Sequence, residues 1–372
     1  MDIDWSNRLI GIKGARGAGK TTLLLQHARE YLPGEGKTLY VSLDDLYFTE
    51  NRLFDLADRF RKEGGRYLLL DEVHRYANWS QEIKNIYDDF ADLSVVFTGS
   101  SIIHLDRAKG DLSRRAVLYE LHGLSFREFL EVTTGKTFSK VTLEQLLGIH
   151  VDLARTISQT IRPLEHFSKY LQYGYYPYFL ENVPAYPLKL AETISLALTS
   201  DLPAIHPVSY ASIERIRLLL HIIAESVPFK PNISKLSEHT GVARNTLITY
   251  MRYLEDMRII RGLYAAGHGM TLLQKPEKIF LHHPNLIFSL SSSAGDVGSI
   301  RESFFINQAS AAMPVAYAEE GDFTIGKFIF EVGGRFKQRR QIKHLQHAYI
   351  AADGIEIGHG QTIPLWLFGF FY

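Results

Sequence analysis

LIGIKGARGAGKTTLLLQ, residues 9–26, decides the fold. Its opening, LIGIK (9–13), has the length and apolarity of a buried strand, and the segment from Lys20 to about Tyr31 is built of helix formers. Between them Gly14, Ala15, Arg16, Gly17, Ala18, Gly19, Lys20 and Thr21 satisfy G-x-x-x-x-G-K-[ST] at every fixed position, and Thr22 follows. The glycines let backbone N–H groups curl around phosphate oxygens with no Cβ in the way. The start of the helix adds partial positive charge. Lys20 is placed to reach the β and γ phosphates, and the Thr21 hydroxyl to ligate Mg²⁺. Residues 14–22 are the expected nucleotide-binding set, with Lys20 also serving catalysis. Arg16, inside the loop, is expected to face solvent.

Outward from this stretch the chain alternates strand and helix up to residue 121. TLYVSL (38–43), YLLLD (67–71), SVVFTG (94–99) and AVLYEL (116–121) read as further strands. Apolar residues within 49–63 fall near helical spacing, and Asn78 with Gln81 resembles a capping box before a helix over 79–91. Such alternation predicts an α/β fold, a parallel sheet covered by helices on both faces.

A phosphate cradle needs a carboxylate for its metal. Asp71 ends the apolar run YLLLD, at the carboxyl edge where open α/β sheets bind ligands. Glu72 is then set to orient or deprotonate an attacking water, which points to hydrolysis. Thr21 and Asp71 are the expected metal-holding pair. The next strand ends in VVFTGSS. Thr98 is the first candidate for a polar group between Asp71 and the γ-phosphate and Ser100 the second, unless Ser100 or Ser101 caps a following helix. Asp44 and Asp45 end the second strand in the same way and either touch the site or, the favoured reading, form a cap or turn. Arg114 and Arg115 precede the fifth strand; they either offset charge on the transferring phosphoryl, in cis or across a subunit interface, or form a surface salt bridge.

Composition narrows the class. Apolar residues are 46% of the 372 and aromatics 12%, enough for a sizeable core. Lys plus Arg and Asp plus Glu are each 41, which excludes a globally basic nucleic-acid coat protein. With no Cys, disulfide and thiolate chemistry are excluded. The start has no apolar signal segment, and the tail IPLWLFGFFY is too short for a membrane span. A cytoplasmic protein is expected.

Taken together, GARGAGKTTLLLQ (14–26), YLLLDEVHRYANW (67–79), VVFTGSS (95–101), LSRRAVLYELHGLSFREFL (112–130) and YLQYGYYPYFLE (170–181) resemble the AAA+ superfamily ATPases of bacteria and archaea that carry a C-terminal restriction-endonuclease-like domain of unknown function. The resemblance covers nearly the whole chain. It implies a P-loop ATPase core using ATP and Mg²⁺, with Lys20, Thr21, Asp71 and Glu72 in the roles above. One departure is that the first strand starts almost at residue 8, without the helix expected before it.

The remaining chain divides into three. Residues 125–205 read as a helical lid subdomain, opened by Ser125 and Glu128 at capping-box spacing; its tyrosines are expected to pack against the ATPase core. Residues 206–286 read as a winged helix. In it a helix ends at Thr240-Gly241, and a second helix, about 243–257, buries Leu247, Tyr250 or Met251, Leu254 and Met257. That second helix shows Arg244, Asn245, Thr249 and Arg252 outward, types that contact DNA, while Glu255 and Asp256 oppose it. Residues 287–372 read as an α+β nuclease-like unit. There Glu302, Asp322 and Glu331 fall in the order of the acids of a metal-dependent nuclease. The lysine due two residues after Glu331 is replaced by Gly333, and Lys337 is six residues on, so this unit is expected to be degenerate. The stretch 335–343 holds five cations and no acid, a candidate nucleic-acid track or a solvated face of a helix expected near 335–350. With 1–124 as the ATPase core, the chain reads as an ATP-hydrolysing nucleotide switch that engages DNA or a protein partner. The alternative is an ATP-dependent DNA-processing enzyme with a working nuclease tail, and a third reading is a nucleotide-binding scaffold without turnover.

Overall fold

The computed structural model describes residues 3–34, 36–99, 112, 114–265, 275–290 and 296–372. Two compact units divide the chain: residues 1–123 with 197–207, and residues 124–196 with 208–372.

The first unit is built on five parallel strands: β1 (Leu9–Gly14), β2 (Thr38–Ser42), β3 (Tyr67–Asp71), β4 (Ser94–Gly99) and β5 (Val117–Leu121). Their order is β2-β3-β4-β1-β5, so β4 lies between the strand that leads into the glycine loop and the strand that ends in Asp71. The apolar runs are continuous because both faces are covered. On β3, Leu68 and Leu70 join one core with Leu53, Ala57, Ile83 and Phe97, while Leu69 joins a second with Ile10, Ile12, Leu24 and Val96. That period of two sends alternate residues to helices on opposite faces. The helices are α1 (Lys20–Tyr31), α2 (Leu53–Lys62) and α3 (Trp79–Asp89).

Two local expectations fail here. The helix read over 49–63 splits, because Asp45 caps a 3₁₀ turn, Leu46–Thr49, by accepting from Tyr47 N–H, and α2 starts afresh at Leu53. The capping box at Asn78 does not form. Asn78 is left-handed (φ 59°), whereas a capping side chain needs an extended backbone to fold back on the first turn. Gln81 instead donates to Asn85 Oδ1.

In the second unit the capping box read at Ser125 and Glu128 does form, opening α4 (Phe126–Thr134). Then come α5 (Leu143–Ser158), α6 (Pro163–Tyr173), α7 (Tyr186–Leu196) and α8 (Tyr210–Ala224). Within this unit Tyr170, Tyr175 and Tyr186 of the aromatic stretch are buried around Asn285. Asn285 accepts from Tyr175 N–H at 2.9 Å and Tyr186 O–H at 2.6 Å and donates to the Tyr170 carbonyl at 2.9 Å. α9 (Ile233–Thr240) ends on Gly241, whose φ of 64° makes the turn into α10 (Arg244–Asp256). Leu247, Tyr250, Met251 and Leu254 are buried on α10, while Met257 lies just past its end, partly exposed. An antiparallel pair follows, β6 (Ile260–Leu263) and β7 (Lys278–Leu281).

The C-terminal portion packs α11 (Pro284–Leu290) and α12 (Val297–Ala312) with a mixed sheet of order β12-β11-β10-β9-β8. Its strands are β8 (Ala316–Tyr317), β9 (Phe323–Ile325), β10 (Phe328–Gly333), β11 (Ala348–Ala352) and β12 (Thr362–Pro364). The helix expected near 335–350 is absent; residues 335–347 are turns that lead into β11. Arg335, Arg339 and Lys343 are spaced by four, and like charges stacked at that spacing oppose a helix. The tail is a buried 3₁₀ helix, Leu365–Phe370, and the carbonyl of Tyr372 accepts from Ser125 Oγ and Arg127 Nε. Among the described residues no helix is long and apolar enough to cross a membrane.

Candidate nucleotide site

The loop between β1 and α1 is a cradle because its glycines sit where other residues strain. Gly17 and Gly19 have φ of 84° and 98°, and a Cβ on Gly14 would lie 2.4 Å from the Leu121 carbonyl oxygen. Gly19 gives α1 no side-chain cap, and the first turn carries no acid, so its N–H groups are left for an anion. Lys20 is 5% exposed, its Nζ donating to the carbonyls of Gly14 at 3.0 Å and Ala15 at 2.9 Å. Burial draws its ammonium down to about 8, against opposing pulls from Glu72 and Asp71. Neutral carbonyls are weak compensation for a buried charge; a polyphosphate is what such an amine fits. Thr22 is exposed on α1, and Ala15 and Ala18 are buried in the loop.

β3 delivers Asp71 to the same place. Thr21 Oγ1 donates to its Oδ2 at 2.5 Å, Tyr40 O–H to Oδ2 at 3.0 Å, Glu72 N–H to Oδ1 at 3.0 Å, and Thr98 Oγ1 also to Oδ1. Burial, then the Asp71 charge, push the Tyr40 phenol upward. Thr98, the first candidate on this strand, is fully buried on the intervening β4 and reaches Asp71. Ser100 and Ser101 lie outside the described residues. Thr21 and Asp71 bring two hard oxygens to one point, the donor type Mg²⁺ takes alongside phosphate and water. Among the described residues no group of three or more His, Cys, Asp or Glu could hold a metal.

Glu72 follows Asp71 in a left-handed conformation, φ 51°, a strain of order 1–3 kcal/mol for a non-glycine residue. Its Oε2 lies 3.4 Å from Nε2 of His74, whose side chain is fully buried in the 3₁₀ turn Val73–Arg75. Arg16 does not face solvent as expected: its Nε bonds Asp201 Oδ2 at 3.2 Å and its Nη2 bonds Oδ1 at 3.3 Å. Asp201 is 4% exposed and also accepts from Arg75 Nη2 at 2.7 Å. It belongs to the first unit through the returning segment 197–207. Desolvation opposes its charge, but the His74 and Arg16 contacts win and hold its carboxyl down at about 2.

Arg114 and Arg115 are not brought to this site. β5 runs parallel to β1 with Val117 opposite Ile10, so both arginines lie at the amino edge of the sheet, away from the cradle at its carboxyl edge. Arg115 pairs with Asp88 at 2.7 and 2.9 Å, and Arg114 is exposed. That placement removes a role in cis. Asp44 accepts from Ser42 Oγ, and Asp45 caps its 3₁₀ turn. Sequence reasoning missed Tyr40, His74, Arg75 and Asp201. The motif HR after Asp71-Glu72 was a usable signal for two of them; Asp201, 130 residues beyond Asp71, carried none.

The carboxylates singled out in the C-terminal portion form a second cluster. Lys278 on β7 lies 3.3 Å from Glu302 Oε2 and 3.5 Å from Asp322 Oδ1. Lys337 Nζ reaches Glu331 Oε1 at 2.7 Å, from a turn and not from a helix. Burial, then the nearby Asp322, raise the Glu302 carboxyl above its ordinary range.

Residues 6–130 match the family model of the AAA domain, and residues 164–293 match a domain of unknown function. The sheet order and the glycine cradle make the first unit an α/β domain, similar over residues 6–130 to the AAA domain. An uncharacterized protein of Methanocaldococcus jannaschii is 28% identical over 287 residues, 73% of this chain; the alignment spans only 60% of that relative's length. Among solved structures, C. elegans PCH-2 aligns at 22% identity over 39% of this chain and 41% of that one, TM-score 0.23. A DNA polymerase III gamma subunit-related protein of Thermotoga maritima aligns at 12% identity over 68% and 96%, TM-score 0.27. Drosophila ORC bound to AT-rich DNA and Cdc6 aligns at 9% identity over 76% and 84%, TM-score 0.23. At such TM-scores none of the three carries an argument.

Proposed function

We propose that this protein binds ATP with Mg²⁺ and hydrolyses it, acting as a nucleotide switch that engages DNA or a protein partner. The observation that supports it most is the convergence of Thr21, Thr98 and Tyr40 on Asp71, with Glu72 next in the chain and Lys20 in the adjoining cradle. Lys20 and the loop N–H groups of residues 14–22 hold the phosphates, and Thr21 and Asp71 hold the ion. Bound Mg²⁺ supplies charge stabilisation at the phosphoryl oxygens. Glu72 orients the water that attacks the γ-phosphorus and accepts its proton. Thr98 fixes Asp71 in place. Arg114, exposed at the other sheet edge, would serve another copy's nucleotide, while Arg115 is engaged by Asp88. The layout that accompanies this reading is a core over 1–124, a helical lid over 125–205 from which the segment 197–207 returns to the first unit, a winged helix over 206–286 and a nuclease-like portion over 287–372, in the cytoplasm. Phosphate release from wild type, Lys20→Ala and Glu72→Gln tests it. Lys20→Ala should lose binding, and Glu72→Gln should bind and not turn over; equal release by all three would reject it.

A second reading, an ATP-dependent DNA-processing enzyme with an active C-terminal site, is favoured by one observation. Lys337 meets Glu331 although Gly333 replaces the lysine due there, and Lys278 adds a cation beside Glu302 and Asp322. Plasmid cleavage with Mg²⁺ or Mn²⁺ that disappears in Asp322→Ala would establish it, and intact plasmid would dismiss it.

A further inference from the structure

We propose that Asp201 is a positioning residue for hydrolysis: it staples the glycine loop to the turn that carries Glu72. The inference rests on the reading of Glu72 as the water-orienting group. Its geometry lies wholly within the first unit. Asp201 ends a π-helical turn, Ala197–Asp201, that continues into Leu202–Ile205, and buried Leu198 and Leu202 anchor the segment on either side. Both carboxylate oxygens are engaged by guanidinium groups from two different motifs. Arg16 comes from the cradle. Arg75 comes from the turn directly after Glu72, and its second arm donates to Ser200 Oγ at 2.8 Å. His74 stands between the two acids, its Nε2 3.4 Å from Glu72 and 3.9 Å from Asp201.

Two arginines and a fully buried imidazole do not share such a place without an anion, because removing charge from water must be repaid by a close partner. Asp201 is that anion, and the loops holding phosphate and water are registered against each other through it. Glu72 is strained and leaves its strand end as the cap of the 3₁₀ turn Val73–Arg75, its carbonyl accepting from Arg75 N–H at 2.9 Å. Its orientation is set by the neighbouring turn, and that turn is fixed by Asp201. The side chain need not touch nucleotide to do this.

The test compares wild type with Asp201→Asn, His74→Gln and the double variant. Turnover is measured by phosphate release and affinity by titration with a fluorescent ATP analogue. Asp201→Asn should lower kcat by about tenfold or more while analogue affinity changes by less than about threefold, the split that marks loss of positioning. His74→Gln removes the imidazole that stands between Asp201 and Glu72, the link through which the staple holds Glu72, and should lower kcat as well. The double variant should be no slower than the slower single one, since the two act through one linkage. Wild-type kcat in Asp201→Asn overturns the inference, as does a loss of affinity in step with kcat. If Asp201→Asn does not fold, unchanged kcat in His74→Gln overturns it alone. A wild-type protein that releases no more phosphate than Glu72→Gln defeats the hydrolysis reading, and this inference falls with it.

Discussion

Raising the pH should discharge Lys20 before any other cation of the cradle and loosen nucleotide in proportion. Its ammonium is buried and, among the described residues, bonded to two carbonyls, and burial holds it at about 8 instead of 10.5. A bound triphosphate places negative charge beside it and lifts that value again, so binding above about 8 requires uptake of one proton. Affinity should then fall about tenfold per pH unit, or about 1.4 kcal/mol per unit, until the bound-state value is passed. The phosphate oxygens themselves are ionised well below this range, with a last step near about pH 6. The assay is titration with a fluorescent ATP analogue at steps between about pH 7 and pH 10, on wild type and on Lys20→Met. Wild type should be level up to about pH 8 and decline beyond it, while the weaker Lys20→Met should stay level throughout. A wild-type affinity unchanged across the range, or a parallel decline in Lys20→Met, would refute the account of a buried, proton-dependent phosphate ligand.

Three further outcomes follow from the same coordinates. Gly14→Ala sets a methyl 2.4 Å from the Leu121 carbonyl oxygen, so urea denaturation should register a loss of about 1–3 kcal/mol; unchanged stability would mean that β1 and β5 part easily. Phe97, fully buried between β4 and the first-unit helices, should cost about 3–5 kcal/mol when truncated to Ala, read by the same denaturation. Asp201 has a folded value near 2 against 3.8 when unfolded, so the stability it adds is complete above 3.8 and is lost as pH falls through 2. Acid unfolding of wild type should therefore show a loss over that window that Asp201→Asn lacks.

The first unit was legible because its signals are local. YLLLD and SVVFTG are strands as read, and the cradle motif sits between a strand and a helix as its chemistry demands. Thr98 could be placed because the strand order puts β4 between Asp71 and the loop. Errors came where a side chain had a better partner elsewhere. Arg16 looked like a solvent-facing loop residue until Asp201 claimed it, and no pattern in the sequence links positions so far apart. Arg114 and Arg115 were attractive as charge, but register, which composition does not reveal, puts them at the wrong sheet edge for their own nucleotide. Asn78 had the right residue type for a cap and the wrong backbone angle. The basic run 335–343 has helix formers in its favour, yet its charges stack against one another. Lys337 could be guessed to approach Glu331, but Lys278, from a strand before α12, could not.

The first unit is interrupted: its chain departs after Gly123 and comes back only at Ala197. During synthesis the ribosome must therefore emit the whole intervening stretch before Asp201 exists to neutralise Arg16 and Arg75. A fragment cut at Gly123 would keep the glycine loop, Asp71 and Glu72 and still leave the Arg16 and Arg75 guanidinium groups without Asp201. The first unit is thus completed only when its second segment has been made, and expressing it by trimming to 1–123 should give an unstable polypeptide where a cut that retains 197–207 would not.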